Sequence, residues 1–269
     1  MSTVMKATVP GSLVLAEVSD GVGVIVLNRP ERLNAITHAL LVEFEAALAE
    51  LGRRSDVGAI VLTGAGRAFC AGLDLEVGVA DPAESDPVEA MYAGIRAGAA
   101  VTRAIAEADA PVIAAVRGHA VGAGFAFAAA ADIRIVAPDA RFSAPFLRLG
   151  MSAGDLGLSY FLPRIIGHGR AAHLIYSAGA LTAEEAVAAG LAADIADDPL
   201  AAAKALASEI AKHPKYGTRL SKRLLGAGAD SSLREHLDAE VSAQTLGALT
   251  GAARTAMAAA SPVRRRREA

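Results

Sequence analysis

Ala59-Ile-Val-Leu-Thr-Gly-Ala-Gly-Arg-Ala-Phe-Cys-Ala-Gly-Leu-Asp-Leu75 is a β-branched run that ends in a glycine-rich turn, and Ala120-Val-Gly-Ala-Gly-Phe125 repeats the pattern further along. A short apolar run bounded in this way reads as a buried strand. Glycine lets the chain turn with positive φ and lets amide N–H groups approach a ligand at low steric cost. Two such turns aimed at one point would make a pocket for a developing oxyanion. Nucleophiles at a recognisable spacing are scarce, so the chemistry is expected to run through backbone amides.

Upstream of the first turn, residues 13–18 and 22–27 flank Asp20-Gly21, the dipeptide of a tight hairpin. Arg29-Pro30 ends the second strand. Thr37 is placed to cap a helix whose apolar stripe is Leu40, Leu41, Phe44, Leu48 and Leu51. A strand over 59–62 follows. Beyond the polar loop 81–87, Met91, Ile95, Ala99 and Ile105 mark a second helical stripe. Residues 111–116 read as a strand, Gly122-Ala-Gly124 as the entry to an alanine-rich helix, 133–136 as a strand and 141–144 as extended chain, with an irregular glycine-rich segment after it. Thr182-Ala-Glu-Glu185 is a capping box for a short helix closed by Gly190.

Residues 1–198 therefore read as an α/β core, and 199–269 as a helical region of three segments broken near His213-Pro214 and Gly226-Ala-Gly228. The repeated order strand, strand, helix argues against an ordinary doubly wound sheet. The closing Arg264-Arg-Arg-Arg267 reads as a solvated tail.

Composition bounds the function. A chain of 269 residues can bury a sizeable core. Its apolar share of 53% is inflated by alanine while aromatics are only 4%, which favours helices packed closely through small side chains over an aromatic-lined cavity. With 26 basic and 29 acidic side chains the net charge is −3, so nucleic acid and anionic membranes are not expected partners. One cysteine excludes an intrachain disulfide and a multi-thiolate metal site, and no metal is expected. Residues 1–12 lack the apolar core of a signal peptide, and the run 120–131 is shorter than a membrane span. The expectation is a soluble, cytoplasmic protein.

Four segments carry a family resemblance: Asn28-Arg-Pro-Glu-Arg-Leu-Asn-Ala-Ile36, Gly66-Arg-Ala-Phe-Cys-Ala-Gly-Leu-Asp-Leu75, Gly118-His-Ala-Val-Gly-Ala-Gly124 and Leu181-Thr-Ala-Glu-Glu-Ala-Val-Ala-Ala-Gly-Leu191. In order and spacing they resemble the crotonase superfamily, the enoyl-CoA hydratase/isomerase family, over nearly the whole chain. The resemblance implies a crotonase (ClpP-like) spiral of ββα units followed by a C-terminal helical region that mediates trimers, often paired into hexamers. It implies an acyl-CoA thioester as substrate, with coenzyme A entering as part of that substrate and no separate cofactor. It places the oxyanion amides at Leu73 and Ala123. Backbone around Ala35 and Ala71, with Gly72, Leu75 and Gly122, would hold the CoA thioester, and Arg32 and Arg67 would offer charge to its phosphates. Asp74, beside the first amide, resembles a structural aspartate that caps a turn.

Two preorganised N–H donors aimed at a thioester oxygen stabilise the charge that forms when an α-proton leaves, each by about 3 kcal/mol. The two glutamates that family hydratases use to activate water fall at Ala126 and Phe146 here, and neither side chain can accept a proton. The remaining candidate acid/base is Asp155, whose loop resembles that of dienoyl-CoA isomerases with the register shifted by about one residue. Asp155 is equally placed to cap the helix that follows. Three readings stay open: enolate chemistry with Asp155, hydration by a different water-activating arrangement, and acyl-CoA binding without turnover. A dinucleotide site is disfavoured, because Phe69 stands where the fingerprint needs its third glycine.

Overall fold

A computed structural model describes residues 11–228 and 230–260. Residues 1–10 of the N-terminal segment and the Arg264 to Arg267 run lie outside them.

The hairpin forms as expected, with β1 (Val14–Ser19) and β2 (Val22–Leu27) joined by Asp20 and Gly21, both at positive φ. The chain continues through α1 (His38–Arg53), capped by the Thr37 hydroxyl, then β3 (Ala59–Gly64) and α2 (Pro87–Glu107). Next come β4 (Val112–Val116), β5 (His119–Val121), α3 (Ala123–Ala130), β6 (Ile133–Val136) and β7 (Arg141–Ser143). The segment read as irregular contains two helices, α4 (Leu158–Ile166) and α5 (His168–Tyr176). They are followed by β8 (Ala180–Thr182), α6 (Ala183–Ala188) with its capping box, and β9 (Asp194–Ile195). Four helices close the described chain: α7 (Pro199–Ala211), α8 (Lys215–Ala227), α9 (Leu233–Ala248) and α10 (Gly251–Ala260). The three expected segments become four because α9 stops before Thr250.

The main sheet runs β1-β2-β3-β4-β6-β9, antiparallel at β1 and parallel thereafter. Each new parallel strand joins the same edge, so the chain never reverses direction across the sheet as a doubly wound fold does. A second, smaller sheet holds β5, β7 and β8, and the Cys70–Ala120 bridge extends it towards the first glycine turn. Every turn of the chain thus places one strand in each sheet, which is a spiral.

Strand alternation sorts the core. Ile25, Leu27, Ile60, Leu62, Val112 and Val116 face the inner core, while Val22, Val24, Ala59, Val61, Ile113 and Ala115 face outward onto Ala203 and Ala207 of α7. Asp198 caps α7 and Pro199 opens it. The helix α3 is apolar on every side and all eight of its residues are buried, the pattern of a helix enclosed by its protein.

The α2 stripe is shifted from the expected one. Met91 and Ile95 are exposed, and the buried positions are Ala90, Gly94, Gly98, Val101, Thr102 and Ile105. The reason is steric: a Cβ on Gly94 would lie 1.8 Å from the Val79 carbonyl oxygen, and one on Gly98 would lie 2.8 Å from Leu156 Cδ2. The small residues, not the large ones, mark where α2 is pressed closest to the protein.

Candidate active site

The first glycine turn is fixed from both sides. Cys70 N–H donates to the His119 carbonyl and Val121 N–H to the Cys70 carbonyl, each at 2.9 Å. Two residues on, Ile36 N–H donates to Gly72 O at 2.7 Å and Asp74 N–H to Ile36 O at 3.0 Å. Backbone groups alternate along extended chain. The Leu73 amide therefore points away from Ile36.

The second donor comes from a helix end. Ala123 is the first residue of α3, so its N–H has no acceptor within the helix, and the positive pole of the helix adds to it. Among the described residues neither the Leu73 nor the Ala123 amide has a hydrogen-bond acceptor.

Glycines bring these donors together. Gly72, at φ +84°, has no Cβ, and one placed there would sit 2.7 Å from Val121 O and 3.9 Å from Ala123 N. A Cβ on Gly124 would sit 2.4 Å from Cys70 O. Side chains at either position would push the two turns apart. Asn34, buried at φ +56°, adds a lock: its side chain accepts from Arg29 N–H and donates to the carbonyls of Ala65 and Ala68. Sequence reading passed over Asn34 because a polar residue in a loop usually faces water.

Leu73, Ala123 and Asp155 line one cavity of about 320 Å³, together with Ala71, Gly72, Leu75 and Gly122. Asp155 and Arg148 are its two charged lining residues, and Phe146 forms part of an otherwise apolar wall. Ala126 is wholly buried in α3 and does not reach the cavity. A larger cleft of about 900 Å³ lies between the core and α8–α10, away from both amides.

Asp155 does not cap α4. That helix begins at Gly157 with no side-chain cap, and Asp155 contributes only its backbone carbonyl, which accepts from Leu158 N–H at 2.9 Å. Its half-buried carboxyl has no hydrogen-bond partner among the described residues, and burial pushes its pKa up. The loop that carries it is anchored from α2 by Thr102, whose hydroxyl donates to Leu156 O at 3.0 Å. Leu156 and Gly157 both stand at positive φ there.

The other expected site residues fall outside the cavity wall. Asp74 is buried and committed elsewhere: it pairs with Arg29 at 3.1 Å and accepts from the amides of Glu76 and Val77. Burial opposes its ionisation, but the Val77 and Glu76 amides and the Arg29 and Arg32 guanidiniums hold its carboxyl below the usual range. Arg32 lies 3.6 Å from Asp74 and also pairs with Glu76. Ala35 is buried and its carbonyl accepts from Arg29, while Arg67 is exposed. Cys70 is fully buried and its thiol is pushed up to about 12 by burial, so it is a packing residue rather than a nucleophile.

Behind the site, Arg134 is buried at the far end of α3 and donates to the carbonyls of Ala128, Ala129, Ala131, Asp132 and Leu191. Burial lowers its pKa to about 10, which leaves it cationic near neutrality. It satisfies the carbonyls that a helix C-terminus leaves open. Among the described residues no three metal-ligating side chains cluster, and no helix is long and apolar enough to cross a membrane.

The sequence profile described as enoyl-CoA hydratase/isomerase matches residues 17–255. The chain is 40% identical over 219 residues to a probable enoyl-CoA hydratase, EchA14, of Mycobacterium tuberculosis (strain ATCC 25618 / H37Rv), covering 80% of this chain and 82% of that one. It is 35% identical over 240 residues to the 1,2-epoxyphenylacetyl-CoA isomerase of Escherichia coli (strain K12), covering 87% and 89%. A crystal structure titled as a putative enoyl-CoA hydratase from Streptomyces coelicolor A3(2) superposes with a TM-score of 0.83 at 36% identity, covering 93% of this chain and 92% of that one.

Proposed function

The chain belongs to the enoyl-CoA hydratase/isomerase family, and from that premise we propose that it binds an acyl-CoA thioester, holds the thioester oxygen between the Leu73 and Ala123 amides, and moves a substrate proton with Asp155. The observation that carries this reading is the meeting of two partnerless amides and one partnerless, half-buried carboxyl on a single cavity wall. When Asp155 takes the α-proton, the electron pair moves onto the thioester oxygen as an enolate, which the two N–H groups stabilise. With a 3-enoyl thioester the enolate is conjugated with the β,γ double bond, and returning the proton to the γ-carbon moves that bond to the α,β position. A carboxyl raised by burial is a stronger base once ionised than an exposed one.

The CoA portion would lie along the backbone of Ala35 and Ala71, with Arg67 free to meet a phosphate. Arg32 would have to leave Asp74 and Glu76 to do the same. The buried single thiol suits a reducing, cytoplasmic compartment. In α9, which buries no residue, Leu233, Leu237 and Val241 are exposed on one face, and they support assembly into trimers or hexamers.

The test is Asp155→Asn assayed against enoyl- and dienoyl-CoA esters, with α-proton exchange into deuterated solvent followed alongside. The expected loss is about 10²- to 10⁴-fold. In the wild type the rate climbs with pH as the raised carboxyl ionises, and the variant loses that limb. An unchanged rate would remove Asp155 from the mechanism.

A second reading, hydration, is favoured by the name of the mycobacterial relative. It predicts a 3-hydroxyacyl product formed without either family glutamate, since Ala126 and Phe146 stand in their places. Tight acyl-CoA binding with no turnover of any ester would instead indicate a non-catalytic relative.

A further inference from the structure

The cavity is apolar inside, and its apolar lining does not stop at the mouth. Ile95, Leu149 and Met151 line it and are nevertheless 44%, 52% and 41% exposed. Along α2 the exposed surface continues from Ile95 to Met91 at 48% and Val88 at 74%. Positions 88, 91 and 95 follow helical spacing, so they share one face. At 1.5 Å per residue this strip adds a track of about 10 Å beyond the cavity.

In the first half of α2, Val88, Met91 and Ile95 therefore look outward while Ala90, Gly94 and Gly98 face inward; Val101 and Ile105 are buried further along. Large exposed side chains in a contiguous strip mark a binding surface more often than scattered ones do. Here the strip is continuous with the cavity through Ile95. Ile95 thus joins the cavity to Met91 and Val88 along one face of α2.

We propose that the acyl group of the substrate is longer than the cavity, and that its tail leaves between Ile95 and Met151 to lie along Met91 and Val88. This rests on the acyl-CoA reading of the same cavity and names its substrate class as long-chain acyl thioesters. A polar or carboxyl-terminated tail would lose contact with the strip, and a short acyl group would leave it uncovered.

Calorimetric binding of butanoyl-, octanoyl-, dodecanoyl- and hexadecanoyl-CoA, kept below their micelle concentrations, tests the assignment without requiring turnover. On a surface that shields one side of the chain, affinity should grow by roughly twofold per added methylene. Over the four methylenes from octanoyl to dodecanoyl the expected gain is thus about sixteenfold. Met91→Asp, at an exposed position outside the cavity, should erase most of that gain while butanoyl-CoA binds within about twofold of wild type. A wild-type affinity that levels off by octanoyl, or a loss in Met91→Asp equal for every chain length, overturns the proposal. A lower oligomer mass in Met91→Asp with chain-length dependence intact also overturns it and gives the strip to a second copy of the chain. If none of the four esters binds, the acyl-CoA reading falls first, and the tail assignment with it.

Discussion

Gly124 shows how narrow the tolerance at the site is. Cys70 O and Cys70 Cβ lie 2.4 and 2.7 Å from where its Cβ would stand, and the nearer atom is backbone that cannot swing aside. Gly124→Ala must separate α3 from the Cys70 segment, and with it the Ala123 amide from Leu73. Overpacking of this kind costs about 1–3 kcal/mol, measurable by denaturant unfolding, and the rate should fall further than stability alone explains. A variant with full activity would show that the two amides do not act together. At this scale the glycine motifs were legible as geometry: Leu73, Ala123 and Asp155 line one cavity. It was silent about Arg134 and Asn34, whose roles depend on carbonyls far away in the chain.

Among the elements, α2 and the Asp155 loop form one unit. The Thr102 hydroxyl reaches Leu156 O at 3.0 Å and Gly98 O at 3.3 Å, and Gly98 makes room for the Leu156 side chain. Thr102→Val keeps the shape and deletes the donor, leaving the Leu156 carbonyl without it at a cost of about 1–3 kcal/mol. Thr102 does not touch the cavity, so its expected signature is indirect: kcat falls with KM little changed, the rising limb of the pH profile moves, and Thr102→Ser restores both. A matching drop in stability with an unmoved pH profile would reduce Thr102 to a structural role. Elements with a strong local period were legible in sequence, as α1 and β2 show. The α2 stripe held at Ile105 but not at Met91, Ile95 and Ala99, because Gly94 and Gly98 set the contact in the first half of the helix. Strands β8 and β9 are two or three residues long and owe their existence to partners, β7 and β6, that no local pattern reveals.

For the whole molecule, the order strand, strand, helix pointed away from a doubly wound sheet, and the one-way strand order agrees. What local sequence did not convey is how the last four helices divide. In α7, Ala203 and Ala207 seal the outer face of the sheet, whereas α9 buries nothing. Exposed Leu233, Leu237 and Val241, four residues apart, give α9 an apolar stripe that a monomer would leave in water. Sedimentation should therefore return three or six times the mass of one chain, and Leu237→Glu should shift it towards the monomer while α7 and the sheet stay folded. A wild-type monomer at micromolar concentration would contradict this assembly.

Arg134 carries a consequence for the order in which the protein forms. Its guanidinium ties the end of α3 to the carbonyl of Leu191, 57 residues later in the chain. Lys222 closes a longer loop still, donating to Ile105 O and Ala110 O from 117 and 112 residues away and pairing with Asp132 at 2.8 Å. A chain synthesised from its N-terminus holds both glycine turns and Arg134 long before Leu191 and Lys222 have emerged, and closing such loops is entropically slow. The helix that presents Ala123 thus gains its local cap early, from Arg134 on Ala128, Ala129 and Ala131, and its tie to Leu191 late. The turns that carry the two unpartnered amides are encoded early and tied down late.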